Sequence, residues 1–462
     1  MLAGFCEKEF TPEKGNMPGE IGPYFAEGTR TPLMAHAAVI TSGTETQVFV
    51  SMDIIFITVD LAQNIKKKIA DALSIPVENV LLACTHTHTG CGTDYQCWGT
   101  PAEPEVAAYA GEMAVAAAVE AYESRTECKY GTGYDFEKRF SFNRDWYMAD
   151  GRLRSNPGFR GDDLVMPFDT VDQVVHVMRI DDVAEDRPRC FIVNYANHPD
   201  NHKGNERDKF SADYPGYLRL ALRRRFGRDV TVVFLNGTCG DVNDMDFKNR
   251  TSDSYRDHGL CPPELIGEGL AETVAKISEG LVMKADDPFM QAKSELHETL
   301  RRHATDEMRA WAKMIMDKKA AGEEKMMEHS LLLAEQYLAE PAEMPATCEV
   351  EIHTMQLGDW VIVGLPGEIY TCIGTRIKAN SPYPKTLVVE LESGANGYIS
   401  PDIIQDCGAY EGIYSSIAFT GHGTVDVLVN GATGMLREMH QNYLDKTLGG
   451  IVYRPAHISR KN

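Results

Sequence analysis

The sequence predicts an α/β fold in which a mixed β-sheet is flanked by helices. Short β-branched runs that end in polar or glycine-rich turns are typical of strands, and longer stretches between them are typical of helices. The composition is that of a globular protein, because 43% of the 462 residues are hydrophobic and 25% are charged. No apolar run approaches the roughly 20 residues that a membrane-spanning helix needs, so we expect no membrane span.

Four strand-like runs and two helix-like stretches carry this prediction. The runs are TQVFVSMDIIFI near residue 50, VLLACT near 82, RCFIVNYA near 192 and VTVVFLN near 233. The helix-like stretches AQNIKKKIADAL and EVAAYAGEMAVAAAVEAYES follow the first two runs. In such folds functional side chains lie just beyond the carboxyl ends of strands, so we expect the site there.

Residues 290–340 predict a helical hairpin that breaks near Gly322. The segment is rich in Ala, Glu, Lys, Met and Leu and has no proline before its end. The strand pattern returns in EIHTMQLGDWVIVGLPGE, so we interpret the hairpin as an insertion within a single catalytic domain that spans residues 1–462. A plain surface insertion is the favoured role, and a lid or a dimer contact are the alternatives.

The charge balance excludes nucleic acid and favours a small-molecule substrate. Lys and Arg number 46 against 68 Asp and Glu, a net charge of −22 that repels polyanions and favours neutral or cationic molecules. The N-terminal MLAGFCEKEFTPEKG lacks a basic leader followed by an apolar stretch, so we expect a cytoplasmic protein. Eleven cysteines without a CxxC pair predict reduced, mostly buried thiols. Homo-oligomerisation stays open.

The first candidate for chemistry is the histidine pair of LLACTHTHTG. In an extended segment His86 and His88 would point to the same side, a geometry that suits a metal ion. With 14 histidines in the chain, about 0.4 such HxH pairs arise by chance, so the motif alone is weak. Its position after the strand VLLAC and before Gly90 and Gly92 favours a metal site.

Three further segments place polar side chains after apolar runs. His198 of NYANHPDNH is interpreted as a loop ligand, with a turn histidine as the alternative. In VVFLNGTCGDVND, Asp241 could orient a histidine ligand or belong to an ordinary turn. Glu368 of VIVGLPGEIYT would complete a mixed His/Glu set of the kind that binds catalytic zinc, although a lone glutamate is more often a surface group.

Taken together in chain order, these segments resemble the catalytic domain of neutral ceramidases, the alkaline non-lysosomal N-acylsphingosine amidohydrolases. THTHTG is similar to that family's ATHTHSG, NHPD to its THP, CGDVN to its GDVS and LPGE to its PGE. Further matches are FNRD with Asn143 and Arg144, the GY of ANGYIS at Tyr398, and the YEG that begins at Tyr410. The matching motifs run from about residue 15 to about residue 425.

The resemblance implies a zinc-dependent amidohydrolase that cleaves a linear amide, such as an N-acylated amine. The Zn²⁺ ligands that it implies are His86, His198, Glu368 and Tyr398. The side chains that it places around the scissile carbonyl are His88, Arg144 and Tyr410. In that arrangement zinc activates water and polarises the carbonyl, Arg144 and Tyr410 stabilise the oxyanion, and His88 carries a proton to the leaving amine. Because a neutral phenol is a poor ligand, Tyr398 would have to bind largely as phenolate.

The sequence departs from the ceramidase pattern in three respects. Asn243 stands where GDVS has serine, so a serine mechanism cannot operate, whereas attack by zinc-activated water can. We also expect no immunoglobulin-like C-terminal domain after the catalytic motifs, and no secretory leader. The chemistry is therefore expected to be shared with ceramidases more closely than the sphingolipid substrate.

Two other functions stay open on the sequence. A metal-dependent hydrolase of another class, a carbohydrate deacetylase or a phosphoesterase, is the first, and an oxygen-rich two-metal site would favour phosphoester chemistry. Asp53 and Asp241 are the candidates for such a site. The second is a non-catalytic binding protein that keeps the fold, for which Asn243 is weak support and the retained ligand set is the counter-argument.

Overall fold

The computed structural model describes residues 1–19, 21–22, 24–158, 161–202, 207–248, 262–322, 327–341 and 343–447. The strands are β1 Leu2–Glu9, β2 Gly15–Met17, β3 Tyr24–Ala26, β4 Met34–Ser42, β5 Glu45–Met52, β6 Val80–Cys84, β7 Thr126–Phe136, β8 Phe142–Asn143, β9 Asp145–Met148, β10 Leu153–Ser155, β11 Leu164–Pro167, β12 Val174–Asp182, β13 Arg187–Tyr195, β14 Thr231–Asn236, β15 Val242–Asn243, β16 Met290–Leu300, β17 Thr347–Leu357, β18 Trp360–Gly364, β19 Glu368–Ile369, β20 Lys385–Val389 and β21 Tyr398–Ile399. The helices are α1 Val59–Leu73, α2 Pro104–Glu123, α3 Asp213–Phe226, α4 Pro262–Glu279, α5 Asp306–Ala320, α6 Glu328–Ala339, α7 Thr371–Asn380, α8 Asp402–Cys407 and α9 Thr424–Thr447.

Eight strands form a mixed sheet, in the order β14-β13-β12-β7-β1-β4-β5-β6. Most neighbours are antiparallel, but β13 with β14 and β5 with β6 are parallel pairs. The strands predicted near residues 50, 82, 192 and 233 are β5, β6, β13 and β14, and the two predicted helices are α1 and α2. The α/β prediction with a mixed sheet flanked by helices is therefore confirmed.

A second sheet, in the order β16-β17-β18-β20, covers one face of the first. Phe49 of the large sheet and Ile362 and Leu387 of the small sheet belong to one apolar cluster between them. Helices α1 to α4 cover the opposite face of the large sheet, and α7 and α9 cover the outer face of the small sheet. The layers are thus helix, sheet, sheet and helix. The sequence did not predict the second sheet, because periodicity identifies strands but not which sheet they join.

None of the helices in the described ranges is both long and apolar enough to cross a bilayer. Each cysteine in the same ranges is a free thiol, and most are buried, as the sequence predicted.

The segment 290–340 begins with a strand, and this corrects the prediction that all of it forms a helical hairpin. Residues Met290–Leu300 form β16, which pairs along its whole length with β17. This pairing overrides the helix propensity of the residues, as tertiary contacts often do. Only α5 and α6 form the hairpin, and Gly322, where the break was predicted, follows α5 with a left-handed φ of 76°.

A buried ion cluster joins α1 to the small sheet. Lys66 Nζ lies 2.6 Å from Ser393 Oγ and 3.4 Å from Glu392 Oε1, and His353 Nδ1 lies 3.0 Å from the same carboxylate oxygen. Burial by itself raises the pKa of Glu392, but the charges of Lys66 and His353 outweigh it and lower that pKa to about 2. The carboxylate therefore stabilises the fold mainly as the anion.

We expect Glu392→Gln to lower the free energy of unfolding at neutral pH by about 3 kcal/mol, because Lys66 would stay buried without its closest carboxylate. Glu351 remains 3.7 Å from Lys66, which limits the loss. A carboxylate with a lowered pKa contributes stability above its unfolded value of about 4.3, and this contribution is lost as the pH falls towards about 2.

Denaturant titrations of the wild type and Glu392→Gln at about pH 7, pH 4 and pH 3 measure both effects. The variant should show a flatter loss of stability with falling pH, and Glu123→Gln, a change at an exposed glutamate, is the control. Equal pH slopes for wild type and Glu392→Gln would contradict the prediction.

Candidate metal centre

Strand ends from both sheets meet at one place, and the predicted site residues follow those ends. His86 follows β6, His198 follows β13, and Glu368 begins β19 shortly after β18. β6, β13 and β18 each have a parallel neighbour. The site therefore lies beyond the carboxyl ends of strands, where the sequence predicted it.

Three imidazoles face one another at this position. The Nε2 to Nε2 distances are 3.1 Å between His86 and His198, 3.0 Å between His88 and His198, and 3.4 Å between His86 and His88. Ligand atoms held tetrahedrally about 2.0–2.1 Å from a zinc ion would lie roughly 3.4 Å from one another. The three nitrogen atoms could therefore hold one metal ion.

The second ring nitrogens fix the direction of the lone pairs. His86 Nδ1 lies 2.9 Å from the carbonyl oxygen of Ile55, and His198 Nδ1 lies 3.2 Å from that of Cys239. A carbonyl oxygen only accepts, so each Nδ1 carries the hydrogen and each Nε2 presents a lone pair. Two such lone pairs at 3.1 Å repel unless a cation lies between them. Metal-binding histidines have this arrangement, in which the other ring N–H is donated to a neighbouring acceptor.

Strand pairing brings Glu368 and Tyr398 to the same place. Strands β19 and β21 are parallel, with Glu368 directly opposite Tyr398. Glu368 Oε2 is buried 3.3 Å from His86 Nε2 and 4.0 Å from His198 Nε2, and it has no hydrogen-bond partner among the described residues. A buried, unpartnered oxygen is costly unless a cation offsets the loss of hydration. A divalent metal therefore fits this donor set.

The charge states of the imidazoles also suit a metal. Burial lowers the pKa of His88 to about 3 and that of His198 well below its usual range, so both are neutral at pH 7. Burial also lowers the pKa of His86, but the Glu368 carboxylate outweighs this effect and raises it. The neutral imidazole is the form that binds metals, so a metal ion at His86 would replace the proton that the Glu368 carboxylate favours there.

Arg144 is fixed beside the donor set by three acceptors. Its Nε donates to Glu411 Oε1 at 2.6 Å, and its Nη2 donates to the carbonyl oxygen of Gly240 at 2.7 Å and to Tyr398 Oη at 3.0 Å. Burial and the Glu368 carboxylate raise the pKa of Tyr398 well above its usual value, although Arg144 lowers it. Tyr398 is thus a neutral phenol unless a cation at its oxygen favours the phenolate.

Aromatic packing places Tyr410 against the same centre. Its ring centroid lies 5.9 Å from that of Tyr398 and stacks on Trp98 at 5.6 Å. These three side chains, the three histidines and Arg144 line a cavity of about 200 Å³. Trp98 could not be predicted from the sequence, because a single tryptophan in a loop has no distinguishing pattern.

A turn, not an extended strand, brings His86 and His88 to one side. His86 has a φ of 69°, in the left-handed region that residues other than glycine rarely adopt. The prediction that both rings face one ligand position is thus met by a different backbone geometry, and the strain is of the kind found at functional sites. Gly19 packs against this turn, where a Cβ would lie 2.3 Å from the carbonyl oxygen of His88.

The structure corrects the interpretation of Asp241 as a residue that orients a histidine. Its carboxylate accepts from Asn143 Nδ2 at 2.7 Å, and from the amide and hydroxyl of Thr371 at 2.7 and 2.8 Å. Asp53 is likewise engaged, since Arg219 donates to its two oxygens at 3.0 and 2.7 Å. Among the described residues that line the metal cavity, neither aspartate is present. The two aspartates therefore form no oxygen-rich two-metal site there.

The α5–α6 hairpin, predicted to be a plain surface insertion, lies beside the site. The ring of His329 on α6 lies 5.4 Å from Trp98 and 6.0 Å from Tyr410. Tyr337, also on α6, donates from its hydroxyl to the carbonyl oxygen of Tyr414 at 2.8 Å. The hairpin therefore braces the loop that carries Tyr410.

Comparison with known proteins identifies the fold. No protein-family profile and no curated protein matches the chain. A solved structure of the neutral ceramidase from Pseudomonas aeruginosa matches with a TM-score of 0.69 at 16% identity, covering 96% of this chain and 74% of that one. A structure of a ceramidase complexed with C2 matches with a TM-score of 0.70 at 14% identity, covering 96% of this chain and 75% of that one. The predicted resemblance in fold is confirmed.

Proposed function

We propose that this chain, which has the fold of the neutral ceramidases, is a zinc-dependent hydrolase of amide (N-acyl) bonds. One observation carries the proposal: the Nε2 atoms of His86 and His198, whose Nδ1 atoms both donate to carbonyl oxygens, lie 3.1 Å apart beside an unpartnered oxygen of Glu368. The residues that would hold the ion are His86, His198, Glu368 and Tyr398. When bound, zinc polarises a carbonyl group and lowers the pKa of water to about 7. The amide is favoured because the structural neighbours are ceramidases.

His88 is the proton carrier in this proposal. Its Nδ1 has no hydrogen-bond partner among the described residues, whereas the Nδ1 atoms of His86 and His198 donate to carbonyl oxygens. Its neutral imidazole accepts a proton as water attacks the carbonyl carbon, and then donates that proton to the leaving nitrogen as the C–N bond breaks. Asp200 Oδ1, 4.0 Å from Nδ1, stabilises the imidazolium between the two steps.

Arg144 and Tyr410 stabilise the negative charge that develops on the carbonyl oxygen. The direction of the guanidinium is set before substrate binds, because Glu411 and the carbonyl of Gly240 already hold it. Burial raises the pKa of Tyr410 well above its usual value, so its hydroxyl keeps the proton that it donates. Donors fixed in this way are the effective ones in acyl transfer, since they need no reorganisation during the reaction.

The residue that replaces the family's serine takes no part as a nucleophile. Asn243 Nδ2 donates to Asn156 Oδ1 at 2.7 Å, and Asn156 lines the cavity. An amide cannot supply the hydroxyl that a serine mechanism needs. Water is therefore the nucleophile in the proposed reaction.

A substrate panel tests the proposed function. The zinc-loaded full chain is assayed with N-acyl amines, acetylated sugars and phosphoesters, before and after removal of metal by a chelator. We expect hydrolysis of N-acyl amines that is lost with the metal and restored by zinc. Activity confined to phosphoesters, or amide hydrolysis that survives removal of the metal, would overturn the proposal.

A further inference from the structure

An apolar chamber lies behind Glu368, next to the proposed metal centre. It has a volume of about 120 Å³, and its walls include Phe56, Tyr95, Ile417 and Phe419. Phe56 and Glu368 line both this chamber and the metal cavity. The chamber and the metal cavity are therefore adjacent, and these two side chains lie between them.

Phe419 stands between this chamber and the larger cleft beyond it. The cleft has a volume of about 830 Å³, and Phe419 lines both spaces, with Leu296 and Arg301 on the cleft side. The Arg301 guanidinium lies 4.6 Å from the centroid of the Phe419 ring, and the amide of Arg302 donates to the Phe419 carbonyl at 2.8 Å. The ring is thus held in position from its backbone and from one face.

We infer that the acyl chain of a bound substrate extends past Glu368 into this chamber, where Phe419 sets its length and restricts the protein to amides of short-chain acids. The inference rests on the proposed function and adds a substrate class to it. A volume of about 120 Å³ equals that of about four water molecules in the liquid, which leaves room for about four carbon atoms. The apolar walls favour the acyl chain here, while the amine part lies in the metal cavity near Asn156 and Asp200.

The same geometry predicts what removal of the ring does. Without the Phe419 side chain, the chamber opens into the cleft, and an acyl chain longer than the chamber gains an apolar surface at Leu296. Each methylene that is newly buried raises affinity on the order of fourfold. Preference should therefore shift from short chains to long ones.

The test measures binding, not turnover. Straight-chain acyl hydroxamates from acetyl to decanoyl are titrated calorimetrically into the zinc-loaded full chain, because the hydroxamate group binds zinc and the alkyl chain probes the chamber. For the wild type we expect affinity to rise up to about four carbon atoms and then to fall. For Phe419→Ala we expect the ratio of decanoyl to acetyl affinity to rise at least about tenfold.

Phe419→Leu should give a smaller shift in the same direction, and it replaces the alanine variant if that variant does not fold. Phe136→Ala, which changes a phenylalanine that is 53% exposed on β7, is the matched control and should keep the wild-type profile. A wild type that binds decanoyl hydroxamate best, or Phe419 variants with an unchanged chain-length profile, would overturn the inference and leave zinc binding intact. A wild type that binds neither zinc nor acetohydroxamate would overturn the proposed function with it.

Discussion

His86→Ala is expected to abolish stoichiometric zinc binding and, with it, hydrolysis. The change removes one of the donors that face the centre, whose Nε2 lies 3.3 Å from Glu368 Oε2. Loss of a group that only orients a ligand weakens metal binding by 10–100-fold, so loss of a ligand should exceed about 100-fold. Metal analysis after dialysis, with circular dichroism to verify the fold, measures the effect.

Two matched histidine variants sharpen this experiment. His422→Ala changes a half-exposed surface histidine paired with Asp406, and it should keep full zinc content and activity. His88→Ala should keep the zinc but lose turnover, because it removes the proposed proton carrier, whose Nδ1 has no anchoring acceptor among the described residues. A folded His86→Ala protein with about one zinc ion per chain would exclude the proposed centre.

Arg144→Lys is expected to lower kcat by about 10²–10³-fold while zinc content stays at the wild-type level. Lysine keeps the positive charge but not the planar fork that reaches Glu411, Gly240 and Tyr398 together. The donor that stabilises the oxyanion would therefore lose its fixed direction, which affects the transition state more than substrate binding. Steady-state kinetics should show the loss in kcat with a smaller change in KM.

Arg154→Lys is the matched control, because that arginine is 36% exposed and pairs with Asp150 at the surface. It should leave both constants within about twofold of the wild type, as changes at surface ion pairs usually do. A kcat for Arg144→Lys within about threefold of the wild type would remove Arg144 from the proposed mechanism.

The positions of the first histidines followed from simple chemistry. Apolar runs that end in glycine-rich turns locate the carboxyl ends of strands, and functional side chains of α/β folds lie just beyond those ends. His86 and His198 could therefore be identified as candidates, but their proximity could not be predicted in this way, because β6 and β13 run in opposite directions within the sheet. Nothing in the local sequence predicted the left-handed backbone of His86, with its φ of 69°, because such strain depends on the surrounding packing.

Glu368 was found in the same way, after the apolar run of VIVGLPGEIYT, but the phenol oxygen donor could not be. Tyr398 is distinguished only by its register opposite Glu368, and a register between two-residue strands leaves no periodicity to read. The resemblance to ceramidases supplied it instead. Glu411 accepts a hydrogen bond from Arg144 Nε at 2.6 Å. This partner was also missed, because the two residues are remote in sequence and no local pattern connects them.

Segment 290–340 shows where amino-acid composition fails to predict secondary structure. Its composition predicted helix correctly for α5 and α6, but β16 is a strand because β17 offers it a full ladder of hydrogen bonds. Propensity is a weak guide where a neighbouring strand satisfies the backbone. The contact of His329 with Trp98 could not be predicted either, because it joins a helix and a loop that share no sequence pattern.

The parallel pairing of Glu368 with Tyr398 ties the proposed metal to the assembly of the whole chain. His86 and His198 come from the first half of the sequence, and the carboxylate and phenol come from its last hundred residues or so. An ion held by both sets would act as a cross-link between chain segments that are remote in sequence. Binding to the native state alone stabilises it in proportion to the logarithm of the ligand concentration, so free zinc would govern how tightly the C-terminal segments stay docked.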